Sequence, residues 1–583
     1  MRRGREAALL RLWPSLPLLL IVPAVSCGPP AGTETDAGPG DAGAVEAAAD
    51  VNPPRPIGPI SVSFANTRRP TFRWKLAEGS DGARVEVCRD RACMAIVAAF
   101  AASGEQGAPP SDLPFGAVFW RLHGMAGGAV GATSSATWEL VVPRVSVAAR
   151  EEIWGAMLDA NGDGYADVVA GDSDAFNPTQ HVYVHHGGAG GPSAVPSSVL
   201  SATAPVVAYA ASIASAGDLD GDGFGDLLVG SPKENLVYVY RGGPSGFASP
   251  PALLRGPMAS DFGGAVAAAG DVDGDGYGDA IVGMPILAPE AGVSPSGAAV
   301  VVYGSASGLS LARSARLAQH AGSSASSFGQ YVSSAGDADG DGRPDVAVWG
   351  GIESTDPQEV ELYLVRDPHF GAAPSARLKF DGSPVSWLGD ANLLAWAGDV
   401  NGDGFSDLVM SSTSPPNLGA DQDHLSLFFG SPPGPAADPS QRVDNPFGTT
   451  ANFGLSVAAL DVDGDGFEDV AAAAAWIGAP PGPSAVVYRG GPSGLGGPTV
   501  IQSADLSGIF EREVASVGDI DGDGYADLLV GAPSRATPVD GGALHGAVDV
   551  YPGGAAGVAT TPRWTLLPPD STTVAYGAAL PGP

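Results

Sequence analysis

The sequence predicts an all-β protein built from repeated sheet modules, and three observations carry that expectation. The 583 residues include 84 Gly and 52 Pro, with 44% hydrophobic residues and no long tract rich in Glu, Lys, Leu and Ala. Such a composition suits short strands joined by many turns. A nine-residue acidic pattern, D-x-[DN]-G-D-G-x-x-D, then occurs seven times at similar spacing. Finally, copies of that pattern run straight into apolar segments such as Val168-Val169-Ala170-Gly171, Leu227-Leu228-Val229-Gly230, Ala280-Ile281-Val282-Gly283 and Leu528-Leu529-Val530-Gly531. Continuous short apolar runs mark strands buried on both faces.

At the N-terminus, Arg2, Arg3, Arg5 and Arg11 precede the apolar run Leu16 to Val25, the order of an export signal. That run is about half the roughly 20 residues a membrane-spanning helix requires. Ala24-Val25-Ser26-Cys27 resembles a bacterial lipobox, although Ala24 replaces the more usual Leu. Residues 1–26 are therefore expected to be a lipoprotein-type signal peptide, and the resemblance implies acyl chains on Cys27; a plain secretory signal with an incidental cysteine is the alternative. The protein would then be exported to the cell envelope, as an outer-membrane lipoprotein or at the cell surface, and touch the membrane through its lipid anchor only. Residues 27–56 are rich in Gly, Ala, Pro and Asp with no apolar periodicity, which predicts a disordered tether.

Residues 57–143 alternate as strands do in Thr71-Phe72-Arg73-Trp74, Ala83-Arg84-Val85-Glu86-Val87 and Val118-Phe119-Trp120-Arg121-Leu122. A β-sandwich-like domain is expected, similar to fibronectin-III or immunoglobulin-like modules; an irregular cap on the following domain is the alternative. With Cys27 lipidated, Cys88 and Cys93 remain as an even pair in an oxidising compartment. Four intervening residues could turn a hairpin and let them form a disulfide. Two free buried thiols is the other reading.

The acidic copies are the most informative feature. They place Asp159, Asn161, Asp163, Tyr165 and Asp167 at positions one, three, five, seven and nine of the first, and Asp218, Asp220, Asp222, Phe224 and Asp226 in the second. The third holds Asp271, Asp273, Asp275, Tyr277 and Asp279, and the fourth Asp337, Asp339, Asp341, Arg343 and Asp345. Asp399, Asn401, Asp403, Phe405 and Asp407 follow in the fifth, Asp461, Asp463, Asp465, Phe467 and Asp469 in the sixth, and Asp519, Asp521, Asp523, Tyr525 and Asp527 in the seventh. Oxygen-bearing side chains at alternating positions can curl round one cation, while glycines at positions four and six permit φ > 0. Position seven would add its carbonyl, so Arg343 there is harmless, and the Asp at position nine would complete a shell of the size Ca²⁺ prefers. Mg²⁺ demands stricter octahedral geometry, Zn²⁺ wants Cys or His, and the EF-hand glutamate at position twelve is missing. About seven Ca²⁺ ions are expected. Without them each loop would crowd three or four carboxylates together, so the ions should stabilise the fold.

The copies start 59, 53, 66, 62, 62 and 58 residues apart. Upstream lie Tyr209, Phe262-Gly263, Phe328-Gly329, Phe453-Gly454 and Phe510; downstream lie strands such as Val237-Tyr238-Val239-Tyr240 and Val300-Val301-Val302-Tyr303. A period near 60 residues suits a four-stranded blade and is too long for a β-helix coil, so seven copies predict a seven-bladed β-propeller over residues 150–583. These loops and aromatic-Gly pairs resemble the FG-GAP repeats of integrin-α-type propellers. The resemblance implies a Ca²⁺ in a hairpin loop between adjacent strands of each blade, on the face opposite the main partner-binding surface. The first and fifth copies lack an aromatic-Gly pair in register, whereas the chain ends in Ala575-Tyr576-Gly577-Ala578-Ala579-Leu580. The tail is therefore expected to pair within the first blade and close the ring.

A net charge of −35 excludes a nucleic-acid partner, which would need clustered Lys and Arg. No G-x-S-x-G or H-E-x-x-H signature appears, which favours a non-enzymatic role over a hydrolase or lyase on a propeller scaffold. His185-His186 is expected to end a strand of the first blade at a surface turn, in preference to a metal or catalytic site. The leading expectation is a monomeric, calcium-stabilised, lipid-anchored binding or adhesion protein that recognises a protein or glycan through loops such as 284–297, 351–358 and 411–424. A structural envelope protein without a dedicated ligand is the alternative.

Overall fold

The computed structural model describes residues 51–581 apart from 147–152, 155–156, 173–179, 203–207, 288–295, 320–326, 351–358, 366–373, 380–392, 413–422, 449–450, 477–482, 503–512, 536–544, 570–572 and 574. The signal segment 1–26, Cys27, the tether as far as residue 50, Phe510, loop 351–358 and most of loops 284–297 and 411–424 lie outside the described residues. Among the described residues the fold is all-β, with one short 3-10 turn at Pro232–Glu234.

Residues 55–142 build two sheets around one core. Arg55–Gly58, Phe72–Lys75 and Gln106–Gly107 form the smaller; Ser63–Ala65, Trp138–Val142, Gly116–Ala126, Gly82–Cys88 and Ile96–Ser103 form the larger, with Ala129–Ser134 added beside Gly116–Ala126 and Ile153–Trp154 beside Ser63–Ala65. Alternation places Phe72 and Trp74 inward between exposed Arg73 and Lys75. Phe72 meets Trp120 edge-on at 4.9 Å between ring centroids, and Trp120 meets Trp138 at 5.5 Å. Such pairs are worth about 0.5–1.5 kcal/mol beyond their burial. Cys88 ends its strand, the chain turns through Asp90, and Cys93 returns at φ 56° with its Cα 5.1 Å from that of Cys88; the two form a disulfide buried against Phe119.

Seven sheets follow, each holding one acidic copy. In the second, Ser212–Gly217, Asp226–Ser231, Leu236–Tyr240 and Ala252–Arg255 pair antiparallel in chain order, and the acidic loop joins the first two. Five further four-stranded sheets repeat this order, with first strands Val266–Gly270, Tyr331–Gly336, Leu394–Gly398, Ala451–Leu460 and Glu513–Ser516. The apolar runs serve two cores at once. Leu227 and Val229 pack towards the first sheet, whereas Leu228 between them packs towards the third. Seven such cores lie between successive sheets, and the one holding Val168, Ala170, Leu529 and Val548 joins the seventh sheet back to the first. First strands converge on a central cavity of about 50 Å³ lined by Ser212, Val266, Tyr331, Leu394, Glu513 and Leu580 among others. This is the arrangement of a β-propeller.

The first sheet has only Val168–Gly171, His181–His185 and Ser198–Ser201 from its own repeat. Its innermost place is taken by the chain's end: Gly171 donates to the Ala579 carbonyl at 2.8 Å, and Gly577 donates to the Gly171 carbonyl at 3.0 Å. Gly577 (φ 83°) repeats the role of Gly263 (φ 86°), whose N–H reaches the Gly283 carbonyl in the third sheet. Tyr576-Gly577 is thus the aromatic-Gly pair that the first repeat lacks. The expectation for His185 is corrected here: it is fully buried, because the closing segment covers it, with Nε2 against the Tyr576 hydroxyl and Nδ1 against the Ser193 carbonyl.

Candidate metal centre

Each acidic copy is a tight loop whose side chains first organise their own backbone. The position-one carboxylate gathers N–H groups from the loop: in the second copy Asp218 Oδ1 accepts from Gly221 and Asp222, and Oδ2 from Gly223 at 2.6 Å. The position-five carboxylate accepts the position-seven N–H in all seven, as Asp222 does from Phe224 at 3.1 Å. Glycines at positions four and six all have positive φ, from 68° at Gly464 to 98° at Gly524, which a side chain would penalise.

The position-nine aspartate has a role beyond the ligand expected of it. Its Oδ2 accepts the position-two N–H in every copy. Its Oδ1 accepts an N–H just past the third strand of the same sheet, from Gly187, Gly242, Gly304, Val365, Gly430, Gly490 and Gly553 in turn. One carboxylate therefore clamps its loop to its own sheet. Two accepted N–H groups leave each oxygen a lone pair for a cation, although in the first copy Asp167 Oδ2 also faces His186 Nδ1 at 3.1 Å.

Position seven also does more than offer a carbonyl. A Cβ on Gly162 would sit 2.6 Å from the ring of Phe224, one on Gly221 2.7 Å from Tyr277, and one on Gly340 2.5 Å from Phe405. Each aromatic thus lies over the position-four glycine of the preceding loop, and Tyr165 of the first loop lies over Gly522 of the seventh. Backbone bonds follow the same path: the position-eight N–H of Gly225, Gly278, Ser406, Glu468 and Ala526 donates to the position-one carbonyl of the loop before, and Ala166 donates to Asp519. Pro344 has no N–H to give, and there Arg343 instead reaches the Asp273 carbonyl at 3.4 Å. Arg343 is consequently a spanning side chain as well as a tolerated one.

The carboxylates fit a cation. Oxygens of Asp218, Asp220 and Asp226 lie within 4.8 Å of one another, as do those of Asp271, Asp273 and Asp279; Asp337, Asp339 and Asp345; Asp461, Asp463 and Asp465; and Asp519, Asp521 and Asp527. In the first and fifth copies the amides of Asn161 and Asn401 donate to Asp163 and Asp403 at 3.1 and 3.0 Å. Position-three aspartates are split in function. Asp220, Asp463 and Asp521 give Oδ2 to Arg241, Arg489 and Arg563 at 2.8, 2.9 and 2.7 Å. Their Oδ1 atoms, and that of Asp271, are buried without a hydrogen-bond partner. A buried orphaned carboxylate oxygen is costly, and a cation among these oxygens would remove the cost. Burial, reinforced by neighbouring carboxylates, pushes Asp159, Asp271, Asp337 and Asp461 up to about 7 and Asp407 and Asp469 up to about 8. Burial likewise raises Asp226, Asp279, Asp345 and Asp527 well above the usual carboxylate range.

Sequence reasoning missed the arginines. The signal for Arg241 and Arg489 is Arg-Gly-Gly-Pro-Ser-Gly, present at both 241–246 and 489–494 after the third strand; Arg563 lies outside that motif. It also missed that the N-terminal β module sits on four loops. Arg144 donates to the Asp163 carbonyl and stacks on Tyr165 at 4.0 Å. Arg91 reaches the Asp275 carbonyl at 3.4 Å and stacks on Tyr277 at 3.7 Å, and Arg55 reaches the Asp341 carbonyl at 2.6 Å. At the second loop, Glu139 faces Asp218.

Comparison with known proteins finds the same repeat in parts of the chain. An FG-GAP-like repeat model matches residues 159–229 and 218–282, and an FG-GAP repeat model matches 453–487 and 513–546. The chain thus carries FG-GAP repeats in these segments and is similar there to integrin alpha chains. Integrin alpha-3 of Cricetulus griseus is 36% identical over 140 residues, 22% of this chain and 13% of that protein. Integrin alpha-5 of Xenopus laevis is 34% identical over 145 residues, covering 21% and 14%. Integrin alpha-4 of Xenopus laevis is 36% identical over 150 residues, covering 24% and 14%. The matches thus span about an eighth to a seventh of these relatives' own length. A solved structure of a protein from Lactobacillus plantarum aligns with 70% of this chain and 98% of its own, at 12% identity and a TM-score of 0.39.

Proposed function

We propose that this chain is an exported binding or adhesion protein of the cell envelope, anchored by acyl chains on Cys27, whose propeller is held rigid by Ca²⁺ in its seven acidic loops. The observation that carries the calcium reading is the set of buried carboxylate oxygens left without partners in loops that otherwise satisfy their own backbone. Hard oxygen donors in a flexible loop favour Ca²⁺ over Mg²⁺ or Zn²⁺. The binding reading is supported by the FG-GAP, integrin-alpha-like repeats and by the division of the two propeller faces. Arginines of the N-terminal module occupy loops on the acidic face. In each antiparallel sheet the second and third strands join at the other edge, where the expected recognition loops 284–297, 351–358 and 411–424 depart. A protein or glycan partner would meet that edge, and the chain would act as a monomer.

The test is calorimetric titration of the chelated mature chain with Ca²⁺, followed by protein and glycan arrays with and without the ion. About seven ions per chain, a raised melting temperature and a calcium-dependent partner are expected. Fewer than about five ions, or equal melting with and without Ca²⁺, would end the calcium reading. Calcium uptake with no partner on either array would favour a structural envelope role.

A further inference from the structure

The second loop differs from a self-contained site in one respect. Glu139 lies in the strand Trp138–Val142 of the N-terminal β module and is 2% exposed. Its backbone is held by one neighbouring segment: its N–H donates to Ser61 Oγ at 3.3 Å and its carbonyl accepts from Val62 at 3.1 Å. The neighbouring strand presents Phe119, its cross-strand partner, and Ala117 to Gly223 of the second loop. The Glu139 carboxyl thereby comes within hydrogen-bonding reach of Asp218, with Asp226 beyond it. Its Oε2 is buried without a hydrogen-bond partner, and so is Asp220 Oδ1 in the same loop.

Nearby positive charge makes no hydrogen bond to these oxygens. Arg241 is committed to Asp220 Oδ2 and to the Ser307 carbonyl. Arg91, whose charge acts on Glu139, gives Nη2 to the Asp275 carbonyl and its face to Tyr277, and its Nη1 is itself buried without a partner. Two buried carboxyl groups at hydrogen-bonding distance either share a proton or flank a cation. The orphaned oxygens of Glu139 and Asp220 are left over by a shared proton and accounted for by a cation.

Resting on the reading that these loops hold Ca²⁺, we infer that Glu139 is a ligand in trans of the cation in the second loop, so that this ion fastens the N-terminal module to the propeller. Among the described residues, the carboxylate clusters of the third, fourth, sixth and seventh loops come from their own repeats. The second would draw one from a strand 79 residues upstream of Asp218, and loss of its ion would loosen the contact of Ala117 and Phe119 with Gly223.

The experiment compares calcium titrations and melting of the full mature chain as wild type, Glu139→Gln, Asp220→Asn and the double variant. Asn occupies position three naturally at Asn161 and Asn401, so Asp220→Asn is a folded control. In Glu139→Gln one ion should bind about tenfold or more weakly, with the remaining ions unchanged. Its chelated form should melt at or above chelated wild type, because a repelling carboxylate is gone, yet gain less on adding Ca²⁺. The double variant should lose the same single ion and no other, the non-additivity of two ligands to one site. A Glu139→Gln titration and calcium gain superimposable on wild type overturns the inference, leaving a shared proton. Absence of calcium uptake by wild type also overturns it, and is recognisable as failure of the underlying reading because no variant is needed to see it.

Discussion

His185 Nε2 lies 2.8 Å from the hydroxyl of Tyr576, a residue 391 positions later. The bond's direction follows from its neighbours. His185 Nδ1 sits 2.6 Å from the Ser193 carbonyl, which can only accept, so Nδ1 carries the proton and Nε2 accepts from tyrosine. Burial lowers the His185 pKa and keeps it neutral for that role. Tyr576→Phe leaves a buried acceptor unmet and should cost about 1–3 kcal/mol. Deleting residues 570–583 also removes buried Leu580 and the Gly171 pairing, opening the ring. A melting temperature lowered by on the order of 5–10 °C is expected; scanning calorimetry showing no change refutes closure by the tail.

Gly404 and Gly340 separate two reasons for glycine in the loops. A Cβ on Gly404 (φ 93°) would meet nothing within 4 Å, whereas one on Gly340 (φ 75°) would meet Phe405 Cε1 at 2.5 Å. Gly404→Ala should therefore carry only the left-handed backbone cost of about 1–2 kcal/mol. Gly340→Ala should cost more, because it also displaces the ring that links the fourth and fifth loops. Denaturant unfolding in saturating calcium reads the difference, and equal losses would mean that Phe405 contributes nothing at that contact.

These contrasts show what a linear reading reaches. The acidic loops were legible because their carboxylates and glycines fall within nine residues, and closure was legible because Tyr576-Gly577 repeats Phe262-Gly263 and Phe328-Gly329. What escaped is pairwise and distant. Phe224 touches a glycine of the preceding copy, Arg241 holds Asp220 from beyond the third strand, and Glu139 arrives from another module. His185 was misplaced for the same reason, since the strand that buries it is supplied by the end of the chain. Arg55, Arg91 and Arg144 follow no periodicity, and an isolated arginine resembles a solvated surface residue until its partner is known.

The disulfide offers a modest, local prediction. Cys88 and Cys93 are five positions apart, so closing the loop removes little chain entropy, about 2 kcal/mol at most in the loop-entropy account. Cys93→Ser should lower chemical stability by no more than that while the number of bound ions stays unchanged. A variant that fails to fold, or that loses ions, would show the bridge supporting the loops beneath it.

The chelated protein should lose stability as pH rises. Folding lifts carboxyl groups from an ordinary value of 3.8 to about 6 at Asp519, about 7 at Asp159 and Asp461, and about 8 at Asp407 and Asp469. An acid whose pKa is raised by folding holds its proton more firmly in the folded state. Its favourable contribution is therefore present at low pH, declines above the unfolded value and is gone once pH passes the folded one. Between about pH 5 and pH 8 the melting temperature in excess chelator should fall. Added calcium reverses the trend, because the ion needs the ionised carboxylates and its affinity grows as protons leave. The stabilisation on adding calcium should thus be larger at pH 8 than at pH 5, as differential scanning fluorimetry at matched ionic strength would show. A chelated melting temperature that climbs over this range would mean that the loop carboxylates are already ionised and compensated without a cation.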